Sequence, residues 1–586
     1  MGEWFAASSL APIRLDANEN DINNDDNDAL LFTSRRSPLL CRHACVATSQ
    51  PLASSIGLDF LRKGANAADT AVAITAALAV LEPCSTGLGG DMFCLYFNAK
   101  NNKVSAINGS GKSPRRLSYN DLQQKYPNGT GGISEEDFQF SADSVTVPGA
   151  ARGWEDLLNI EGSGRFSMAD LIEPAAVMAE EGFPVTPVTS YHWASGMNQI
   201  KKWVNILDPI VPMTVDGKNA PKAGQIFSNP DMAQILRALG ENGASNGFYK
   251  GVAGQAIVDA VKKFGGVMEL EDLITHESVF PIPMSTDYRG VNLWQVPPNG
   301  QGVAALVALS GLQSLEEKGI CPKLTKSNIG KVDAYHVMIE MMRLGFADAR
   351  AHVACPDHTE VTHEWFLDKE RIGKRAEELF DPTKAKIHGD CLSSSCTVSF
   401  QVVDQEGNAV SFVNSNFMGF GTGIVPDSCG FTLQNRGFGF TLDEIHPNRV
   451  EGGKRPYHTI IPGMLTHADS GELYATISNM GGNMQPQGHL QLTVDMVAGE
   501  MDPQAAIDLP RFCISCGTQS GEVQLEDGIP SETLKELERR GHKMIAGIAG
   551  HTRSIFGRAQ IIKKDRDTGV LWAGSDGRAD GCAMGF

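Results

Sequence analysis

The residue with the clearest capacity for chemistry is Thr397, in the middle of the chain. Apolar and β-branched residues follow it up to Val403, a turn covers residues 404–408, and a second β-rich run covers residues 409–413. Two such runs joined by a short turn that contains Gly-Asn predict a β-hairpin. The hairpin would hold the Thr397 hydroxyl, a candidate nucleophile, at the head of its first strand.

A threonine hydroxyl is a poor nucleophile unless a base lies beside it, and no histidine is adjacent to Thr397 in the sequence. If the bond between Cys396 and Thr397 were cut, the new α-amino group of Thr397 would supply that base. An α-amine has a pKa of about 8 in simple peptides, which suits proton transfer near neutral pH. The alternative is a purely structural threonine, because β-branched residues favour strands in general.

The segment around Thr397 resembles the gamma-glutamyltranspeptidase family at the start of its small subunit, in the branch with the motif T-V-x-x-x-V-V-D-x-x-G-N-A-V-S. Further matches follow in the family's order along most of the chain, at residues 46–53, 61–69, 87–91, 346–350, 454–456, 480–482, 509–512 and 574–576. So many separate motifs in one order indicate a member of this family. The run QNRG at residues 434–437 is typical of a divergent branch without the extended lid segment.

The resemblance implies an α/β fold, a four-layer αββα sandwich of the N-terminal nucleophile hydrolase type. It also implies a large subunit over residues 38–396 and a small subunit over residues 397–586, which stay associated after self-cleavage. Residues 1–37 contain the acidic run DANENDINNDDND, which cannot bury enough apolar surface to order itself. A disordered acidic N-terminal tail is therefore predicted.

Local patterns predict some elements of the body directly. Residues 66–81 and 334–350 carry apolar residues at helical spacing, and the apolar run 92–97 predicts a buried strand. His336 and Glu340 lie four apart on the second helix, as metal ligands can, but no partner motif accompanies them. The spacing of Cys513 and Cys516 is equally weak support for zinc without a second pair, so no metal or other cofactor is predicted.

The resemblance assigns roles to several residues, each with an ordinary turn or strand residue as the alternative. It implies that Gly481 and Gly482 donate backbone N–H groups to the oxyanion, which residues without side chains can approach closely. Ser415 stands where the family has a threonine that orients the nucleophile, so the hydroxyl group is kept. The candidate substrate-binding residues are Ser110, Asn435, Arg436, His458 and Thr459.

The charged residues that hold a γ-glutamyl head group in the family are replaced in this chain. Ser110 occupies the position of the arginine that binds the substrate α-carboxylate, and Gly439 aligns with the acid that pairs with the substrate amine. His458 and Thr459 replace a pair of serines. Arg436 is a candidate for the carboxylate contact, with a surface arginine as the alternative.

The leading interpretation is a self-processing gamma-glutamyl hydrolase or transferase that acts on glutathione-like amides through a threonine acyl-enzyme, with amino acids or dipeptides as acceptors. The lost head-group charges favour an alternative, a glutaryl-type amide acylase of the same fold. A third interpretation is an uncleaved, non-catalytic scaffold protein. Self-cleavage and amide turnover would separate the first two interpretations from the third.

Composition limits the partners of the protein. The net charge of −19 argues against nucleic acid or an anionic membrane surface, because both require clusters of Lys and Arg. The longest apolar run, residues 71–81, is too short to span a bilayer. The N-terminal residues lack the basic region and long apolar core of a secretory signal, which favours a cytoplasmic location.

Overall fold

The computed structural model describes residues 36–129, 132–204, 210–386, 397–514 and 521–586. Nearly all of the predicted N-terminal tail lies outside these residues, as do Cys396 at the predicted cleavage site and Cys516. The first described residue, Arg36, donates from Nη1 to the backbone oxygen of Gly581 at 2.5 Å. The described chain therefore begins in contact with its own C-terminal segment.

Strands and helices alternate irregularly along the chain. The strands are β1 (Leu39–Cys41), β2 (Cys45–Thr48), β3 (Asp91–Asn98), β4 (Lys103–Gly109), β5 (Phe183–Pro184), β6 (Ile226–Phe227), β7 (Met284–Tyr288), β8 (Val291–Gln295), β9 (Val398–Val403), β10 (Ala409–Ser415), β11 (Gly463–His467), β12 (Leu473–Met480), β13 (Phe512–Ile514), β14 (Val523–Glu526), β15 (Met544–Ile548), β16 (Arg558–Lys564), β17 (Leu571–Ser575) and β18 (Cys582–Gly585). The helices are α1 (Pro51–Arg62), α2 (Ala67–Leu81), α3 (Tyr119–Lys125), α4 (Glu135–Gln139), α5 (Ala150–Glu161), α6 (Met168–Glu181), α7 (Pro187–Lys201), α8 (Pro230–Gly243), α9 (Val252–Lys263), α10 (Leu270–Ile274), α11 (Val303–Glu317), α12 (Val332–His352), α13 (His363–Leu367), α14 (Lys369–Leu379), α15 (Met484–Val497), α16 (Pro503–Asp508) and α17 (Ser531–Arg539).

Two antiparallel sheets stack face to face at the centre of the molecule. One has seven strands in the order β1-β17-β16-β12-β11-β8-β7, and the other has six in the order β18-β2-β9-β10-β3-β4. Apolar side chains from both sheets fill the space between them, among them Phe93, Val413, Met464 and Ile562. Burial of these side chains is the main force that joins the two sheets.

Helices cover the outer face of each sheet. On the six-stranded sheet, α2 and α5 pack against β3, β9 and β10, and on the seven-stranded sheet α11, α15 and α16 pack against β7, β12 and β16. The result is the predicted four-layer αββα sandwich. None of the helices in the described part of the chain is long and apolar enough to cross a bilayer.

The helix α2 shows how local sequence sets up this layering. Asn66 caps the helix by accepting a hydrogen bond from the backbone N–H of Asp69 at 2.9 Å, and the Asp69 carboxylate accepts one from the backbone N–H of Asn66 at 3.2 Å. Every residue of the helix is buried, which is expected for an Ala-rich helix enclosed between a sheet and other helices. The predicted helix over residues 66–81 is confirmed, and α12 and β3 likewise include the segments predicted for them.

The predicted hairpin is formed by β9 and β10 at the centre of the six-stranded sheet. All residues of both strands are buried. In the turn between them, the Asp404 carboxylate accepts hydrogen bonds from the backbone N–H groups of Glu406 and Asn408, both at 2.9 Å, and from that of Ala67 at 2.9 Å. The turn is thereby fixed to the start of α2, and the opposite end of the hairpin carries Thr397.

Candidate active site

Thr397 lies at the end of a row of three residues that crosses three neighbouring strands. It directly precedes Val398, which pairs with Asn414 of β10, and the next residue of β10, Ser415, pairs with Asp91 of β3. The Thr397 Oγ1 and Ser415 Oγ atoms are 3.0 Å apart, within hydrogen-bond distance. The structure therefore places Ser415 within reach of Thr397, and the roles of the two hydroxyls stay predictions.

The glycine turn at residues 87–91 allows the chain to pass close behind Ser415. A Cβ atom on Gly90 would lie 2.3 Å from the backbone oxygen of Ser415, and one on Gly89 would lie 2.1 Å from the backbone oxygen of Thr432. Side chains at these positions would push β10 and the following loop away. The turn thereby brings Asp91 into the row beside Ser415.

Two N–H groups donate hydrogen bonds to the hydroxyl oxygen of Ser415. The backbone N–H of Phe417 donates to Ser415 Oγ at 2.8 Å, and Arg436 Nη2 donates to the same oxygen at 3.4 Å. In the contact between Ser415 Oγ and Thr397 Oγ1, either hydroxyl can be the donor.

Gly481 and Gly482 connect the end of β12 to the start of α15. Their φ angles are 137° and 58°, a region of backbone conformation that favours glycine. The carbonyl groups of both glycines accept from the first turn of the helix, with N···O distances of 3.0 Å and 3.2 Å. In the described part of the chain no acceptor is recorded for their N–H groups, which suits a pair of oxyanion donors at a helix N-terminus.

Gln301 joins the glycine pair to the candidate substrate site, and the sequence patterns did not identify it. Its Nε2 donates to the backbone oxygens of Gly482 at 2.9 Å and Thr459 at 2.7 Å. Its Oε1 accepts from the hydroxyl of Tyr457 at 3.0 Å. A single buried amide therefore fixes the relative position of two segments that the sequence predicts to act on the same substrate.

Arg436 is fully buried, so the alternative of a surface arginine is wrong. Its guanidinium carbon lies 4.2 Å from the centre of the Phe417 ring, and Nη1 donates to Thr459 Oγ1 at 2.8 Å. Among the residues that the structure describes, its Nε has no hydrogen-bond acceptor, and this nitrogen is 3.8 Å from Asp91 Oδ2. Burial lowers the pKa of Arg436 to about 9, against the attraction of Asp91, so the group is charged at neutral pH.

Asp91 and His458 form a buried pair beside this arginine. His458 Nε2 is 3.1 Å from Asp91 Oδ2, and its ring stacks on Phe93 with 4.6 Å between centroids. The backbone N–H of Ile460 approaches His458 Nδ1 at 3.4 Å, which makes Nδ1 the acceptor and Nε2 the protonated nitrogen. Burial and the charge of Arg436 hold the pKa of His458 well below its usual range, so the ring is neutral.

Ser110 and Asn435 lie behind these groups and bond to other parts of the protein. Ser110 Oγ donates to Asn108 Oδ1 at 2.7 Å, and its backbone oxygen accepts from Arg455 Nε at 3.0 Å. Asn435 accepts from the backbone N–H of Met418 and donates to the backbone oxygen of Gln139. Both residues support the loops of the site, and their contact with substrate stays a prediction.

The position aligned with the family's amine-binding acid has no space for a side chain. A Cβ atom on Gly439 would lie 2.3 Å from the backbone oxygen of Tyr457. An acidic side chain would therefore not fit at position 439 without a shift of the backbone.

The two groups considered as metal ligands in the sequence have protein partners. His336 Nδ1 is 2.7 Å from His542 Nε2, and Glu340 forms an ion pair with Arg343 at 3.1 Å. Glu340 also accepts from the backbone N–H of Lys386 at 2.9 Å. In the residues that the structure describes, no three His, Cys, Asp or Glu side chains are grouped to hold a metal.

Two stacked antiparallel sheets between helical layers, with a hydroxyl at the head of a central strand, are the arrangement of the N-terminal nucleophile hydrolase fold. The chain belongs to the gamma-glutamyltranspeptidase family, whose sequence profile matches residues 53–586.

Several relatives cover almost the whole chain. It is similar to the "glutathione hydrolase-like YwrD proenzyme" of Bacillus subtilis (strain 168), with 34% identity over 92% of this chain and 98% of that protein. It is 28% identical to the "oxamate amidohydrolase proenzyme" of Klebsiella pneumoniae, over 93% of this chain and 98% of that protein. The crystal structure of cephalosporin acylase from Bacillus halodurans superposes with a TM-score of 0.84 and 36% identity, over 96% of this chain and 99% of that one. The names of these relatives describe hydrolases and an acylase with different substrates.

Replacement of Ser415 by Ala is expected to lower kcat for amide hydrolysis about tenfold, because one hydrogen bond to the nucleophile is worth about 1 to 1.5 kcal/mol. Ser415→Thr keeps the hydroxyl and should retain most of the activity. The control is Ser411→Ala on the same strand, which removes a buried hydroxyl that donates to the Ile477 oxygen at 3.0 Å. An equal loss in both alanine variants, measured by initial rates on matured protein, would contradict a specific role for Ser415.

Proposed function

We propose that this protein is a self-processing N-terminal threonine amidohydrolase that acts on γ-glutamyl amides such as glutathione. The acyl group passes to water, or to the amine of an amino acid or dipeptide. The observation that carries the proposal is the 3.0 Å contact of Thr397 Oγ1 with Ser415 Oγ at the head of β9. The similarity to a glutathione hydrolase-like proenzyme supports the same reaction class.

Maturation uses the same hydroxyl as the later reaction. Thr397 Oγ1 attacks the carbonyl carbon of Cys396, the bond from that carbon to the Thr397 nitrogen breaks, and an ester forms in its place. Water then hydrolyses the ester and releases the Cys396 carboxylate. The products are a fragment that ends at Cys396 and a fragment that begins with the α-amino group of Thr397.

The two fragments would stay together because they share one sheet. In the six-stranded sheet, β9 of the small fragment pairs with β2 of the large one, and β10 pairs with β3. Cleavage before Thr397 leaves these ladders and the apolar core between the sheets intact. Separation would expose buried strands on both fragments, which is strongly unfavourable.

In the mature enzyme, the α-amine of Thr397 takes the proton of Oγ1 while this oxygen attacks the substrate amide. The tetrahedral oxyanion accepts hydrogen bonds from the backbone N–H groups at Gly481 and Gly482. As the intermediate collapses, the ammonium group gives its proton to the leaving amine. The resulting acyl ester on Thr397 is then attacked by water or by an acceptor amine.

Arg436 is suited to hold the α-carboxylate of the acyl group. Its Nη2 contacts Ser415 Oγ, which in turn contacts Thr397 Oγ1, so two hydrogen bonds of 3.4 Å and 3.0 Å connect the guanidinium to the nucleophile. A guanidinium has five N–H donors, and Nε has no hydrogen-bond acceptor within the described parts of the chain. A charge-assisted bond to a carboxylate would use this capacity.

A second candidate substrate is a glutaryl-type amide, which has the distal carboxylate of a γ-glutamyl group without its amine. Two observations favour it. Gly439 has no space for an amine-binding acid. Asp91 already accepts three hydrogen bonds, two from backbone N–H groups and one from His458 Nε2. The comparison that separates the two candidates is γ-glutamyl-p-nitroanilide against glutaryl-p-nitroanilide.

The proposed function predicts two fragments on a denaturing gel and a measurable γ-glutamyl-p-nitroanilide hydrolase activity. N-terminal sequencing of the smaller fragment should begin Thr-Val-Ser-Phe. If glutaryl-p-nitroanilide has a kcat/KM at least tenfold higher than the γ-glutamyl compound, the acylase candidate is the better description. A single uncut chain that still hydrolyses amides would exclude the mechanism altogether.

A further inference from the structure

Asp91, a buried carboxylate behind the nucleophile, takes no part in the chemical steps of amide hydrolysis. It is the cross-strand neighbour of Ser415 and is fully buried. Its Oδ1 accepts from the backbone N–H groups of Gly111 at 3.1 Å and Gly149 at 3.3 Å. Its Oδ2 accepts from His458 Nε2 and is 3.8 Å from Arg436 Nε. The Asp91 carboxylate is thus held by three hydrogen bonds and lies close enough to Arg436 for a direct charge–charge attraction.

Without a bound carboxylate, the charges of Arg436, Asp91 and His458 sum to zero. Arg436 is positive, an ionised Asp91 is negative, and His458 is neutral because burial and Arg436 lower its pKa. A substrate carboxylate that binds Arg436 adds one negative charge to a region from which water is excluded. An uncompensated buried charge is costly, so the cluster must lose one negative charge for tight binding.

We propose that Asp91 is a specificity-determining residue that competes with the substrate carboxylate for Arg436, and that such a substrate binds tightly only with one proton on the Asp91–His458 pair. Each carboxylate that enters is matched by one proton from solvent, and the net charge of the site stays zero. A neutral acyl group needs no proton. The inference rests on the proposed function in one respect, the placement of a substrate carboxylate at Arg436.

The direction of the pH effect follows from the surroundings of Asp91. Burial raises the pKa of Asp91 to about 7, although Arg436, Arg455 and the two backbone N–H groups favour the ionised form. Burial raises the pKa of the Tyr249 phenol, and the negative charge of Asp91 raises it further, so Tyr249 is neutral in this pH range. Below pH 7 the carboxyl is already protonated and Arg436 is free to bind substrate. Above pH 7 a proton must be taken up first, and affinity falls about tenfold per pH unit.

The test compares glutaryl-p-nitroanilide with butyryl-p-nitroanilide, which differ only in the distal carboxylate. The ratio of their kcat/KM values removes the titration of the Thr397 amine, because both substrates need it. For the matured wild type we expect a constant ratio below about pH 7 and a roughly tenfold fall per unit above it. In Asp91→Asn the Oδ1 acceptor is kept and no proton can be gained or lost. Between about pH 6 and 8, below the pKa of about 9 at which Arg436 loses its own charge, its ratio should be independent of pH, and at pH 8 it should exceed that of the wild type.

Three results would overturn the inference: a wild-type ratio that does not change with pH, an unchanged slope in Asp91→Asn, or a ratio near one throughout. If Asp91→Asn does not mature, calorimetry of the wild type with glutarate in two buffers of different ionisation enthalpy replaces it. Binding should take up close to one proton above pH 7, and binding without uptake contradicts the proposal. The proposed function has its own test, because it fails if γ-glutamyl-p-nitroanilide is not hydrolysed. The calorimetric test of Asp91 measures glutarate binding, so its result does not depend on that hydrolysis.

Discussion

Thr397→Ala is expected to leave the chain as a single uncut polypeptide without amide hydrolase activity. The substitution removes the hydroxyl that attacks the preceding peptide bond, so the α-amine that serves as the base is never released. Loss of the nucleophile alone costs a serine protease on the order of 10⁶-fold in kcat, and here the base is lost with it. A denaturing gel and a γ-glutamyl-p-nitroanilide assay measure both effects.

Two further variants decide whether the effect is specific. Thr397→Ser keeps a hydroxyl at the head of β9 and should retain part of both cleavage and turnover. Thr422→Ala is the matched control, because it removes another buried threonine hydroxyl, one that donates to the Leu433 oxygen at 2.9 Å. If Thr397→Ala still yields two fragments, another residue is the nucleophile of maturation.

The elements nearest the nucleophile could be predicted from the sequence because their signals are local. The hairpin of β9 and β10 follows from two runs of apolar and β-branched residues joined by a Gly-Asn turn, and α2 follows from an Ala-rich run with apolar residues at helical spacing. The helix α15, by contrast, was not predicted. Its first residues include Pro486 and Gly488, which disfavour helix, and almost all of it is buried, so it lacks an amphipathic pattern. Tertiary burial stabilises this helix against its local preferences.

The charged part of the site depends on contacts between distant segments. Asp91 and His458 are 367 residues apart in the sequence, and Gln301 reaches Gly482 from 181 residues away. In the sequence, Asp91 is recognisable only as the last residue of a glycine turn, and no motif identifies Gln301 as a site residue. A single sequence shows which residue types are present but not which buried charges face one another, and the latter determines substrate preference.

Gly481→Ala is expected to lower kcat about 100- to 1,000-fold, the usual cost of losing one oxyanion donor. At a φ of 137°, an L side chain is strained, and its Cβ would lie 3.0 Å from Gly557 Cα. The backbone must therefore rotate or shift, and the N–H groups beside it leave the positions that the oxyanion requires. Because the oxyanion forms only in the transition state, KM should change much less than kcat.

The control for this variant is Gly541→Ala, in the turn between α17 and β15. Gly541 also has a positive φ, 92°, and no atom lies within 4 Å of its added Cβ. It should lower the melting temperature through backbone strain of roughly 1 to 2 kcal/mol and leave kcat near the wild-type value. Steady-state kinetics and thermal unfolding of both matured variants separate the two effects. A Gly481→Ala enzyme with normal kcat would exclude this glycine pair as the oxyanion site, since the strained backbone could not keep its N–H groups in place.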